Sequence, residues 1–195
     1  MKEPVKFGII LLLFCALSAG LLAVVNGFTA PIIAQAELES TLESYKVIFG
    51  EIADEFEEYD QEKLAEIQNV YPEVLNIFVA TKSGEVVGYG INVTTSGFGG
   101  AMTNAIGIIS ESDRIAGFRN IVNAETKGFG TQIEEEKYYS SYNDKSATGE
   151  LKINISPEAE DEVLQISGAT VTSKAVLVGD NIALSAYNEF LKENK

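Results

Sequence analysis

Four hydroxyl side chains, Ser167, Thr170, Thr172 and Ser173, fall within the stretch SGATVTS at residues 167–173, around Gly168 and Ala169. Hydroxyls so placed can cap a helix, hold a phosphate or carry a modification. The stretch precedes a helical pattern, so its backbone N–H groups can point at an anion. The small residues Gly168 and Ala169 leave the backbone beside Thr170 open to a bulky group. The plainer alternative makes Thr172 or Ser173 an N-cap, a contribution of about 1 kcal/mol. A cap accounts for one hydroxyl and leaves the others idle. Two more stretches join glycines to aromatic or hydroxyl groups. AETKGFGTQ, residues 124–132, sets Gly128 and Gly130 on either side of Phe129, with Glu125 and Thr126 just before. It is either a loop with an exposed aromatic or one that places Phe129 and the Thr126 hydroxyl beside a flat ring. TSGFGGAM, residues 95–102, reads as a hairpin loop whose glycines suit positive φ. None is a P-loop, because GK[ST] is absent.

What the chain lacks narrows the chemistry further. Among 195 residues there is no His, no Trp and one Cys, Cys15, inside an apolar run. A Ser-His-Asp triad and a Cys-His zinc site are excluded. So are an iron–sulfur cluster held by this chain alone and His or Cys ligation of haem. No metal site and no catalytic side chain is expected, so any redox work needs an organic cofactor. The net charge of −15 argues against nucleic acid, which is bound through Lys and Arg, and serves solubility.

These stretches need elements to position them. Phe7 to Val25, FGIILLLFCALSAGLLAVV, is 19 residues without a charge, roughly 28 Å as a helix and close to a bilayer's hydrocarbon thickness. A cleaved signal peptide is the alternative, with AQA at 34–36 resembling a cleavage site. The apolar run is longer than a usual signal core, and Phe14 before Cys15 spoils a lipoprotein box, so an uncleaved anchor is expected. Lys2 and Lys6 precede the span and no Lys or Arg follows it before Lys46, which predicts a cytoplasmic N-terminus and an extracytoplasmic domain. After Pro31, Ile33, Leu38, Leu42, Tyr45 and Phe49 keep helical spacing, either continuing the anchor or following a kink. GEIADEFEEYDQEKLAEIQ reads as a solvated acidic connector with a short helix near Glu62–Ile67. LNIFVAT, VVGYGINVT, AMTNAIGIIS and RIAGFRNIV, parted by turn-forming residues, predict an antiparallel meander. A helical patch is expected at TQIEEEKYYSSY and a strand at ELKINIS. Leu177, Leu184, Tyr187 and Leu191 share one face of a last helix. The class is α+β.

Taken together, the three stretches resemble a known family. SGATVTSKAV is similar to the flavinylation motif of FMN-binding domains in membrane Rnf and Nqr electron-transport complexes. The order of an N-terminal membrane helix, a GFGGAM loop, an ETKGFG loop and that motif resembles the G subunit of Rnf, a relative of the Nqr C subunit. The resemblance covers most of the chain. It implies FMN joined through its phosphate to Thr170 by a separate flavin transferase. It also implies cofactor contacts from Ser167, Gly168, Ala169, Thr172, Glu125, Thr126, Gly128, Phe129 and Gly130. Lys127 and Phe129 replace the Pro and Leu of the family's ETPGLG, and Leu164 stands where the family has Asp. The implied organisation is a cytoplasmic N-terminus (1–6), a transmembrane helix (7–27), a helical and acidic connector (28–72) and an extracytoplasmic FMN-binding domain (73–195) with helices packed on an antiparallel sheet. The implied role is a flavin electron carrier, not a stand-alone catalyst, in a cell-membrane complex coupling ferredoxin:NAD oxidoreduction to Na+ or H+ transport. Its partners would be a second covalent-FMN subunit and iron–sulfur-bearing membrane subunits. The competing reading is an anchored extracellular sensing or adhesion domain without cofactor.

Overall fold

A computed structural model describes residues 3–193 of the protein, so Met1 and Lys2 of the expected cytoplasmic end lie outside the described residues. Two compact units divide after Ser40. Helix α1 (Glu3–Phe49) continues through Pro31; its part before Thr41, with side chains exposed, belongs to the first unit, and its last turns belong to the second. It is long and apolar enough to cross a membrane.

The second unit is built on a five-stranded antiparallel sheet in the order β1-β2-β3-β4-β5. Its strands are β1 (Glu55–Glu58), β2 (Val74–Lys82), β3 (Glu85–Ser96), β4 (Ala101–Ile109) and β5 (Arg114–Val122). β2 to β5 are the expected meander. β1 lies in the stretch expected as a solvated connector. It pairs with β2 from Glu55↔Thr81 to Glu58↔Phe78. Its exposed Glu55, Glu57 and Glu58 suit an outer strand, since edge charges discourage further pairing. The short helix of that stretch is α2 (Gln61–Val70), capped by Asp60, whose carboxylate accepts from Glu62 N and Lys63 N, both at 3.0 Å.

Side chains alternate across the strands, and both faces of the sheet are covered. On one face Ile77, Tyr89, Ile91, Val93, Ile106 and Ile108 join helix α4 (Thr170–Ala186) in the main core. On the other the C-terminal end of α1 lays Tyr45, Ile48 and Phe49 against Phe78, Ala80 and Ala105. Close approach there depends on sheet glycines: a Cβ on Gly90 would stand 2.3 Å from the Tyr45 ring, and one on Gly107 2.4 Å from Ile48. Tyr45 donates to Asn92 Oδ1 at 2.6 Å, and Asn92 donates to Thr41 at 3.3 Å, so the buried polar groups of this layer satisfy one another.

The remaining elements are short. The helical patch expected at 131–142 is divided in two: a turn at Gly130–Glu134, then α3 (Glu136–Tyr139) running directly into the turn Ser140–Tyr142. Glu135 is extended (φ −82°, ψ 147°) and breaks it. Tyr138 and Tyr142 pack on Phe118 there, with ring centroids 5.8 and 4.6 Å away. The strand expected at ELKINIS is β6 (Lys152–Asn154). It pairs in parallel with β7 (Glu162–Leu164), apart from the main sheet. On α4 and the π-turn after it, Leu184, Tyr187 and Leu191 are buried and Leu177 partly so, the face expected from their spacing. The same helix buries Asp180.

Candidate functional site

Thr170 is the first residue of α4, and the chain reaches it through Gly168 at φ +81°, a conformation that a Cβ would strain. Ala169 occupies the N-cap, with no side-chain cap. Neither Thr172 nor Ser173 is therefore the cap, the plainer reading of the motif. Ser173 instead folds back under the turn: its Oγ accepts from Ile166 N at 3.0 Å and donates to Ala169 O at 3.1 Å. Thr172 is buried and donates to Glu125 Oε2 at 2.9 Å. Thr170 and Ser167 are exposed. The four hydroxyls thus divide into two that hold the helix start and two that face outward.

Glu125 joins the three glycine-rich stretches. While Oε2 accepts from Thr172, Oε1 accepts from Gly99 N at 3.1 Å in the β3–β4 loop. The loop glycines make room for it, since a Cβ on Gly97 would lie 2.1 Å from Oε1 and one on Gly130 2.3 Å from Oε2. The Glu125 loop closes on itself. Thr126 O accepts from Phe129 N at 3.1 Å, and Gly128 N donates to Thr131 Oγ1 at 2.9 Å.

A cavity of about 440 Å³ opens where these segments meet. Of the residues singled out in the sequence, Glu125, Thr126, Phe129, Gly130, Gly168, Ala169, Thr170 and Thr172 line it. Gly128 does not, and Ser167 lines a separate cavity of about 140 Å³ beside Tyr138. Two lining residues were missed, Phe98 and Val171. Phe98 is 73% exposed and Phe129 57%. Their shared signal, an aromatic between glycines, is present in both loops, but the hairpin reading absorbed Phe98. Leu164, at the family's Asp position, is partly buried in β7 and its N–H donates to Ser141 Oγ at 3.0 Å.

FMN fits this setting. Phe98 and Phe129 offer apolar faces for a planar ring. The N-terminus of the 17-residue α4 offers N–H groups without intrahelical partners to a phosphate. Thr170 presents the one hydroxyl of the motif that is both exposed and on the cavity wall.

Comparison with known proteins points the same way. Residues 97–185 match the FMN-binding domain family, and residues 2–48 match the RnfG N-terminal region. The chain is 33% identical over 199 residues to the G subunit of the Na(+)-translocating ferredoxin:NAD(+) oxidoreductase complex of Acetobacterium woodii, covering 98% of this chain and 95% of that one. It is 23% identical over 176 residues to the G subunit of the proton-translocating ferredoxin:NAD(+) oxidoreductase complex of Clostridium ljungdahlii, covering 90% and 87%. Among solved structures, the C subunit of Na(+)-translocating NADH-quinone reductase from Parabacteroides distasonis shares the fold at a TM-score of 0.56 and 22% identity, over 71% of this chain and 78% of that one. NqrC of Shewanella oneidensis does so at 0.53 and 16%, over 60% and 59%.

Proposed function

The chain belongs to the family of Rnf complex G subunits, and from that premise we propose how its parts divide the work. It is an FMN-binding, single-pass membrane subunit of an ion-translocating ferredoxin:NAD oxidoreductase complex, with other subunits of that complex as its partners. In this role FMN is carried covalently, as a phosphoester on the Thr170 hydroxyl. The observation that supports this is the placement of Thr170, exposed at the first turn of α4 on the wall of the cavity shared with Phe98 and Phe129. Bound there, FMN supplies a ring that accepts and releases electrons.

The protein's own residues hold and orient. Thr170 Oγ would bond to the FMN phosphorus, its proton departing with the group that the transferase displaces from the flavin donor's phosphate, and the N-terminus of α4 would face the phosphate's charge. Gly168 and Ala169 keep the approach clear. Phe98, Phe129 and Thr126 border the ring's place. Glu125 and Thr172 act behind them, since their hydrogen bonds to each other and to Gly99 keep the three loops in register. A separate flavin transferase makes the bond. A second covalent-FMN subunit and iron–sulfur-bearing membrane subunits exchange electrons with this one. The membrane segment is residues 7–27 of the cell membrane, with the N-terminus cytoplasmic and the domain outside. The reading as a cofactor-free sensing or adhesion domain is not favoured, because the match to an FMN-binding domain spans the β3–β4 loop, the Glu125 loop and α4.

Intact-protein mass tests the attachment, with the transferase co-expressed. Thr170→Ala folds with a stability change within about 1–2 kcal/mol and loses the mass of one FMN less one water. Thr172→Ala keeps that mass. Undiminished mass on Thr170→Ala, with loss from Thr172→Ala, would move the attachment to Thr172.

A further inference from the structure

We infer that a second cavity beside the first is an alternative seat for the ring tethered at Thr170, an inference resting on the attachment proposed above. This cavity measures about 560 Å³. Val171, Lys174, Ala175 and Val178, one stripe of α4 at helical spacing, form one wall, facing Thr95 and Glu73. Val171, 55% exposed, belongs to both cavities, so they lie on either side of the residue next to the attachment point. A phosphate and a ribityl chain link the threonine to the ring, long enough to clear one valine side chain. Both volumes exceed what a three-ring system needs.

The two seats differ in charge. Glu125 is the one ionisable residue lining the first. In the second, Glu73 is offset by Lys174, which lies one turn beyond Thr170 and forms no ion pair among the described residues. A flavin ring that takes up two electrons and one proton becomes negatively charged. Glu125 repels that charge and Lys174 attracts it. The neutral oxidised ring is favoured between Phe98 and Phe129, where it can stack. The reduced ring is favoured beside Lys174. Reduction therefore shifts the population from one seat to the other.

Alkylation of single cysteines reads the occupied seat directly. Val178→Cys reports on the second cavity and Thr126→Cys on the first. Each is made in a Cys15→Ser background, because Cys15 is the only cysteine. Val178 is 54% exposed and Thr126 is exposed, so the reagent can reach a thiol at either position. The full flavinylated chain in detergent is held oxidised, or reduced electrochemically without oxygen, and treated with iodoacetamide. Intact mass follows both the alkyl group and the FMN. Reduction slows Val178→Cys by about fivefold and speeds Thr126→Cys to match, and Lys174→Gln abolishes both changes. Rates independent of redox state, or reduction protecting Thr126→Cys, overturn the second seat and leave the attachment standing. Absence of the FMN mass from every variant removes the attachment and the second seat with it.

Discussion

Thr170 and Thr172 stand two positions apart, and burial sets them in opposite surroundings. One is exposed at a cavity; the other spends its hydroxyl on Glu125 inside the protein. A carboxylate held by one backbone N–H and one hydroxyl is a small, directional clamp, and here it sets where three loops stand. Asp180 is the other carboxyl with consequences. Burial lifts it to about 8, and the hydroxyl of Tyr142 pulls weakly the other way. The folded state therefore keeps this proton up to about pH 8, whereas the unfolded chain releases it near its ordinary value of 3.8. Asp180 supports folding most below that ordinary value, and its support is lost as pH rises towards 8. Asp180→Asn removes this dependence. Denaturant titrations should show the variant gaining on the parent between pH 5 and pH 8, by about 1.4 kcal/mol per pH unit at most. A gain that does not grow with pH would mean that Asp180 is charged throughout.

At the scale of elements, the last turns of α1 serve the domain as a core layer. The sheet glycines admit Tyr45, which packs against Phe78 at 5.4 Å and Phe56 at 5.9 Å between ring centroids. Tyr45→Ala leaves a cavity and strands Asn92 without its donor. Thermal unfolding of the domain should register a loss of about 3–5 kcal/mol. Tyr45→Phe keeps the packing and should lose only about 1 kcal/mol. Equal losses for both would put the stabilisation in the hydrogen bond instead of the ring. The start of α4 makes a second test of element geometry. At φ +81° Gly168 has no clash to fear, because the nearest atom to an added Cβ would be 3.7 Å away, on Phe129. Gly168→Ala thus isolates backbone strain. It should destabilise the turn by about 1 kcal/mol and lower the extent of flavinylation, measured by intact mass, because Thr170 shifts with the turn.

For the whole molecule the decisive asymmetry is charge along the chain. All but Lys2 and Lys6 of its 14 basic residues, and all but Glu3 of its 29 acidic ones, follow the apolar span. From that asymmetry the positive-inside rule predicts that the acidic domain lies outside the membrane. Protease added outside intact cells should digest the domain and spare only the N-terminal segment, as read with an antibody to each end. Full protection of the domain would reverse the orientation.

The amino-acid order by itself determined whatever depends on near neighbours. The 19 uncharged residues from Phe7, the meander from β2 to β5 and the apolar face of α4 follow from period and turn chemistry, which act within a few residues. The three glycine-rich stretches were equally visible as stretches. Their meeting was not, because the contacts that make it cross 26 residues from Glu125 to Gly99 and 47 from Glu125 to Thr172. Strand β1 escaped for a related reason: four residues rich in glutamate carry no strand signal until β2 offers an edge to pair with. The roles within SGATVTS also awaited the fold. A hydroxyl's neighbours in sequence do not say whether it will be buried against a carboxylate or left facing a cavity, and burial is decided by how distant segments pack.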